Sequence, residues 1–140
     1  MYKNNMRIEF PASSDNERFA RTVAAAFILE LDPTVDQLSE IKTAVSEAVT
    51  NSIIHGYDSE YGNVVMEGNI YDDTVEFVIS DDGTGIPDIR RAREPLFTGK
   101  PEMERSGMGF TIMEAFMDSV EVESEIGKGT RVTMSKKISG

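Results

Sequence analysis

Apolar residues recur every third or fourth position from Val35 to Ser52, and every second position from Asn63 to Ser80. This change of period constrains the fold more tightly than any other feature of the chain. A helical stripe cannot lie flat as a strand, and an alternating run cannot wind as a helix. Val35, Leu38, Ile41, Val45, Val49 and Ser52 predict one buried side of a helix. Thr34 and Gln37 open it as a capping box, in which each side chain closes a backbone N–H of the other. The helix should run to about Gly56, a residue suited to the turn that ends it. Beyond it, "NVVMEGNIY" and "TVEFVIS", joined at Asp72-Asp73, read as a β-hairpin.

The reading extends in both directions. Met6, Ile8 and Phe10 share one face of a short strand. "SDNERFARTVAAAFILEL" predicts a helix opened by a Ser14–Glu17 capping box, with Phe19, Val23, Phe27 and Leu31 inward, until Asp32-Pro33 breaks it. From Pro87 to Ser106 charges and three prolines interrupt any period, predicting a short helix and then a loop. "GMGFTIMEAFM" resumes a helix with Phe110, Met113 and Met117 inward; "DSVEVESE", "IGKG" and "TRVTMSKK" make a second hairpin. This order predicts an α/β protein, a two-layer α/β sandwich whose mixed, mostly antiparallel sheet carries helices on one face. Residues 1–140 are expected to form one domain.

Composition removes several function classes. There is no cysteine and a single histidine, His55, so thiolate chemistry and multi-histidine metal sites are excluded. Net charge is −11, which argues against a surface that tracks nucleic acid directly. No apolar run approaches membrane-spanning length and the N-terminus lacks an apolar signal core, so a cytoplasmic location is expected and no membrane partner.

Four polar stretches then stand out. Glu47, Asn51 and His55 are spaced by four and form a row beside the apolar stripe. A solvated helix face would look the same, but a carboxylate beside a carboxamide also suits magnesium, an oxygen ligand next to a base that can orient a nucleophile. In "SDDGTGI", Asp81 closes a strand and can accept from an amino group such as adenine N6, with Gly83 and Gly85 making room beneath a flat ring. A tight Asp-Gly turn would share that pattern. In "SGMGF", the backbone of Ser106, Gly107, Met108 and Gly109 at a helix start is either an ordinary glycine-rich entry or a cradle for phosphates. "IGKGT" places the Thr130 hydroxyl near the sheet end, as would a simple glycine hairpin. Arg105, two residues before Gly107, can pair bidentately with phosphate; Lys100 is the other basic residue between Pro95 and Gly107.

In this order, Glu-x-x-x-Asn, Asp-x-Gly-x-Gly, Gly-x-Gly before a helix and Gly-x-Gly-Thr resemble the N box and three glycine boxes of the GHKL ATPase/kinase superfamily, which includes gyrase and the histidine kinases. "SEAVTNSIIHGY" and "EPLFTGKPEMERSGMGFTIMEAFMDSV" look like its small anti-sigma-factor serine kinases, with Phe110 where many relatives carry leucine. The likeness spans nearly the whole chain. It implies the Bergerat ATP-binding fold, with ATP and Mg2+ as cofactors. Asp81 would recognise adenine, Asn51 would hold magnesium, and Glu47 would be the catalytic base. It also implies two protein partners: a sporulation RNA polymerase sigma factor that is sequestered, and an anti-anti-sigma protein phosphorylated on serine. A homodimer is expected, paired through the first strand and helix. A non-catalytic ATP-gated regulator and a simple ATPase remain as alternatives. A labelled phosphoprotein product, as against free phosphate or none, distinguishes the three.

Overall fold

A computed structural model describes residues 2–56, 62–82, 109–125 and 129–138. Strand β1 (Tyr2–Pro11) is followed by helix α1 (Asn16–Phe27), which tightens into a 3-10 turn over Ile28–Leu31. Helix α2 (Val35–Gly56), the hairpin β2 (Asn63–Tyr71) and β3 (Thr74–Asp81), helix α3 (Gly109–Phe116), and strands β4 (Ser119–Glu125) and β5 (Gly129–Lys137) complete the order. The expected short helix and loop between Pro87 and Ser106 lie outside the described residues.

The five strands form one sheet in the order β1-β2-β3-β5-β4. All of its pairings are antiparallel, so the expected mixed sheet is corrected to an antiparallel one. The reason is topological: β2–β3 and β4–β5 are hairpins, and the second hairpin docks through β5 onto the free edge of β3. Register puts Ile8, Met66, Ile79, Val132 and Val122 in one row across the sheet. This row and its parallels face the helices. Ile41, Val45 and Val49 of α2, and Met113 of α3, close over them into one core with Val64, Phe77 and Met134. Each such side chain contributes roughly 1.5–3 kcal/mol by leaving water. The opposite face carries Glu67, Glu76, Arg131 and Glu121, as alternation requires.

Thr34 and Gln37 form the expected capping box: Gln37 N–H donates to Thr34 Oγ1 at 3.1 Å, and Thr34 N–H to Gln37 Oε1 at 2.9 Å. The Ser14–Glu17 box does not form. Asp15 is the N-cap without a side-chain cap bond, and Glu17 turns instead toward Arg21 at 3.6 Å. The first turn is held locally, by Asn16 Nδ2 donating to the Pro11 carbonyl at 2.8 Å and Asn16 N–H to that of Ser13 at 2.9 Å.

The apolar stripes also shift. Ala20, Ala24 and Ile28 are the buried positions of the first helical segment, while Phe19 is 49% exposed. Small side chains let α1 pack closely on α2, which rotates Phe19 outward to meet Phe10 edge-on at 6.2 Å. Val35, the first residue of α2, is 83% exposed. Asp32 takes a left-handed conformation (φ 53°) between the two helical segments. Among the described residues no helix is long and apolar enough to cross a membrane.

Lys136 fixes the far end of α3. Its Nζ donates to the Phe116 carbonyl at 2.7 Å and lies 3.7 Å from Glu40 of α2. A cation at a helix C-terminus also meets the negative end of the helix dipole. The start of α3 is thereby held over the middle of α2.

Candidate functional site

Glu47 and Asn51 lie one turn apart on α2, and above the fully buried Ala48 and Val49 they project toward the first residue of α3. A methyl group on Gly109 would stand 3.0 Å from Asn51 Nδ2, 3.3 Å from Asn51 Oδ1 and 3.3 Å from Glu47 Oε2. The glycine is needed for that approach. The structure thus brings an acid and an amide on one helix together with the start of another helix that is distant in sequence. Free N–H groups in the first turn of α3 make that end attractive to an anion. Asn51 is 8% exposed, so its amide is held in place by packing as well as by position.

The second cluster gathers at the end of the sheet. Asp81 closes β3 and pairs in register with Thr130 of β5. Both belong to the helix-covered face, with Asp81 6% and Thr130 9% exposed. Directly opposite Thr130 on β4 is Ser124. Its hydroxyl donates to the Gly129 carbonyl at 3.1 Å and shares a hydrogen bond with Thr130 Oγ1 at 2.8 Å. A depression of about 330 Å³ is lined by Ser80, Asp81, Asp82, Glu123, Ser124, Gly129, Thr130 and Arg131, so residues of both strand faces contribute to it. Gly129 has φ +98°, and a Cβ there would collide with the Asp81 carbonyl oxygen. Only glycine both adopts that backbone and lets β5 close on β3.

Of the residues singled out in the sequence, Glu47, Asn51 and Gly109 are placed in the first cluster, and Asp81 and Thr130 in the second. Gly83, Gly85, Lys100, Arg105, Ser106, Gly107 and Met108 lie outside the described residues, as does the His55 side chain. Ser124 was missed. The signal was present in the alternation of "SVEVES", which puts Ser124 on the same face as Val120 and Val122.

The donor chemistry fits a nucleoside triphosphate. A carboxylate and a hydroxyl line a depression at one end, and an acid and an amide meet a helix start at the other. Among the described residues no group of three or more His, Cys, Asp or Glu gathers that could hold a metal ion. Asn51 together with phosphate oxygens and water is the donor set suited to magnesium, which keeps several waters when bound beside phosphates.

Comparisons with known proteins agree in kind. The histidine kinase-like ATPase domain matches residues 10–136. Anti-sigma F factor of Clostridium perfringens is 57% identical over 136 residues, 96% of this chain and 97% of its own. The anti-sigma F factors of Clostridium botulinum and Geobacillus kaustophilus are 59% and 58% identical, each over at least 94% of both chains. Among solved structures, the RsbU and RsbW domains of a Mycobacterium tuberculosis protein superpose with a TM-score of 0.70 at 19% identity. That match covers 97% of this chain and 32% of the longer one. The catalytic domain of the histidine kinase ThkA gives 0.58 at 15% identity, over 95% of this chain and 97% of its own. Both structural likenesses bear on the fold.

Proposed function

This chain belongs to the histidine kinase-like ATPase domain family, and from that premise we propose that it is an ATP-dependent serine kinase that also sequesters an RNA polymerase sigma factor. The name carried by relatives of 57–59% identity supports the sigma-binding half. The observation that carries the kinase half is the approach of Gly109 to Asn51 and Glu47, which aims an acid and an amide at a helix start.

In this reading Asp81 and Thr130 hold the adenine. The backbone from Ser106 to Gly109 would supply the phosphate-binding N–H groups, and Arg105 and Lys100 the charges that pair with the phosphates. Asn51 would hold magnesium, which when bound neutralises charge between the phosphates. Glu47 orients a serine hydroxyl of the anti-anti-sigma substrate and takes its proton as Oγ bonds to the terminal phosphorus and ADP departs. Phosphate transfer here is largely positioning and charge stabilisation, so a single base on a packed helix is a sufficient protein contribution.

A homodimer completes the proposal. The N-terminal segment supplies an edge strand, β1, and an exposed apolar side, Phe19 and Leu29, beside it. A sedimentation mass of one chain at micromolar concentration would contradict this part.

The test of the main proposal is transfer of labelled phosphate from ATP to a purified anti-anti-sigma domain, with wild type and Glu47→Gln in parallel. A phosphoserine product made by wild type alone is expected. Release of free phosphate with no labelled protein would reassign the chain as a simple ATPase.

A further inference from the structure

The alternation of β5 breaks at its last inward position. Thr130, Val132 and Met134 turn buried side chains to the helices, and Lys136 follows them onto that face, opposite the fully buried Val75. Its side chain is 13% exposed. A nearly buried cation costs free energy that an apolar side chain of similar volume would not. Lys136 in return joins three elements. Its Nζ donates to the Phe116 carbonyl at 2.7 Å, one of those that the end of α3 leaves without a helical partner. It also stands 3.7 Å from Glu40 Oε1, so charge draws the end of α3 to α2. The turn after α3 is stitched to β5 by backbone, with Asp118 N–H donating to the Ser135 carbonyl at 2.9 Å. Lys136 adds the reach to α2.

That joint lies on the face of α2 that carries Glu47 and Asn51. Glu40, Glu47 and Asn51 are separated by seven and then four residues, two turns and one, so they fall in a single row. Helix α3 spans this row in reverse. Its first residue, Gly109, meets Asn51 and Glu47, and its last, Phe116, is fastened beside Glu40. Seven steps of a helix cover about 10 Å, and the run from Glu40 to Glu47 is the same length. We propose that Lys136 is a positioning residue for phosphate transfer: by fastening the end of α3 to Glu40 it sets where Gly109, and with it the start of the helix, stands against Glu47 and Asn51. This rests on the kinase reading of that cluster. A helix of eight residues is stiff, so release of one end tilts the other, and packed interiors transmit such shifts.

The test compares wild type, Lys136→Met, Lys136→Arg and Glu40→Gln of the full chain. Each is followed by melting curve, by equilibrium binding of magnesium–ATP, and by kcat and KM for phosphate transfer to an anti-anti-sigma domain. Lys136→Met keeps an unbranched stem and removes the charge, an exchange that is often neutral for stability at a buried ion pair. Its Tm should stay near that of wild type, while kcat falls about ten- to a hundredfold, the effect of a misplacement of about an ångström. Magnesium–ATP should bind about tenfold more weakly, because Asn51 faces the same joint. Lys136→Arg, which restores a cation, should recover most of both losses. Glu40 is partly exposed, so Glu40→Gln should fold as wild type does and lose a few-fold in kcat; it carries the test if Lys136→Met shows no melting transition. Unchanged kcat and binding in a folded Lys136→Met overturn the proposal. Equal impairment of the Met and Arg variants overturns it too, because a residue that only fills space would behave that way. Wild type that binds magnesium–ATP without transferring phosphate is a separate failure, that of the kinase reading, and the binding ratios among the four proteins then decide for or against the placement of Gly109.

Discussion

Gly129 passes so close over the main chain of Asp81 that even a methyl group would collide with the Asp81 carbonyl oxygen. The strand carrying Thr130 is thereby seated against the strand carrying Asp81, and the two residues line the same depression. Gly129→Ala should therefore act on stability and site together. A residue with a side chain at φ +98° costs roughly 1–3 kcal/mol, and the collision adds to it. A fall in Tm of about 5 °C or more is expected, with weaker ATP binding. A variant that melts like wild type would show that β5 can shift without cost.

Gly109→Ala separates stability from function in the opposite way. Gly109 is the first residue of α3, so alanine gains only part of its roughly 1 kcal/mol helix-interior advantage, and that gain offsets the crowding enough for the unliganded variant to stay folded. Its methyl group would press on the buried Asn51 amide at 3.0 Å. Asn51 must then shift by some tenths of an ångström, and binding of magnesium–ATP should fall about tenfold. Calorimetric titration beside a melting curve reads both; unchanged affinity would show that Asn51 has room to give.

Glu47→Gln keeps the shape of the side chain facing Gly109 and removes its ability to take a proton. Phosphate transfer should fall by about 10²–10⁴-fold, the usual range for loss of a general base. ATP affinity should stay within a few-fold of wild type. Near-full transfer by this variant would remove Glu47 from the catalytic role.

Asp81→Asn replaces an acceptor-only group with an amide that also donates. ATP affinity should fall by about one to two powers of ten, following roughly 1–3 kcal/mol for an unmet polar contact. GTP should lose less or gain, since its carbonyl can meet the new N–H. Competitive binding of the two nucleotides checks the sign, and a parallel loss would contradict the base-reading role.

Arg105→Ala tests the segment ahead of α3. A guanidinium that pairs with the terminal phosphate should favour ATP over ADP by about 5–150-fold, a coupling of 1–3 kcal/mol. The variant should lose most of that preference while ADP still binds. Retained discrimination would return Arg105 to a solvated charge.

Local chemistry was the most legible part of the sequence. The Thr34–Gln37 cap formed as read, because its two partners lie three residues apart on one helix and need nothing else. The Ser14–Glu17 pair had an equivalent pattern and did not cap, because Asp15 takes the N-cap position and Glu17 turns toward Arg21. Periodicity located each described strand and α-helix, but not the 3-10 turn over Ile28–Leu31, which it read as more of the first helix. It misjudged Phe19 and Val35, where burial depends on how closely α1 meets α2 and on a position at the very start of a helix. An alanine stripe is a weak signal beside a phenylalanine, although small residues are what close helix packing requires. Ser124 escaped for a related reason: a serine in an alternating strand reads as surface until the partner strand supplies Thr130.

The apolar layer between α2 and β3 has a further consequence. Glu47 and Asn51 stand on α2 and Asp81 at the end of β3, and Val45, Ala48, Val49, Phe77 and Ile79 of the same two elements are fully buried. The layer's thickness sets the span from one subsite to the other, as a gauge block sets the opening of a vice. Cores are packed too tightly to absorb the loss of two methyl groups without movement. Val49→Ala would thus alter the length of molecule that fits, although valine 49 belongs to neither subsite.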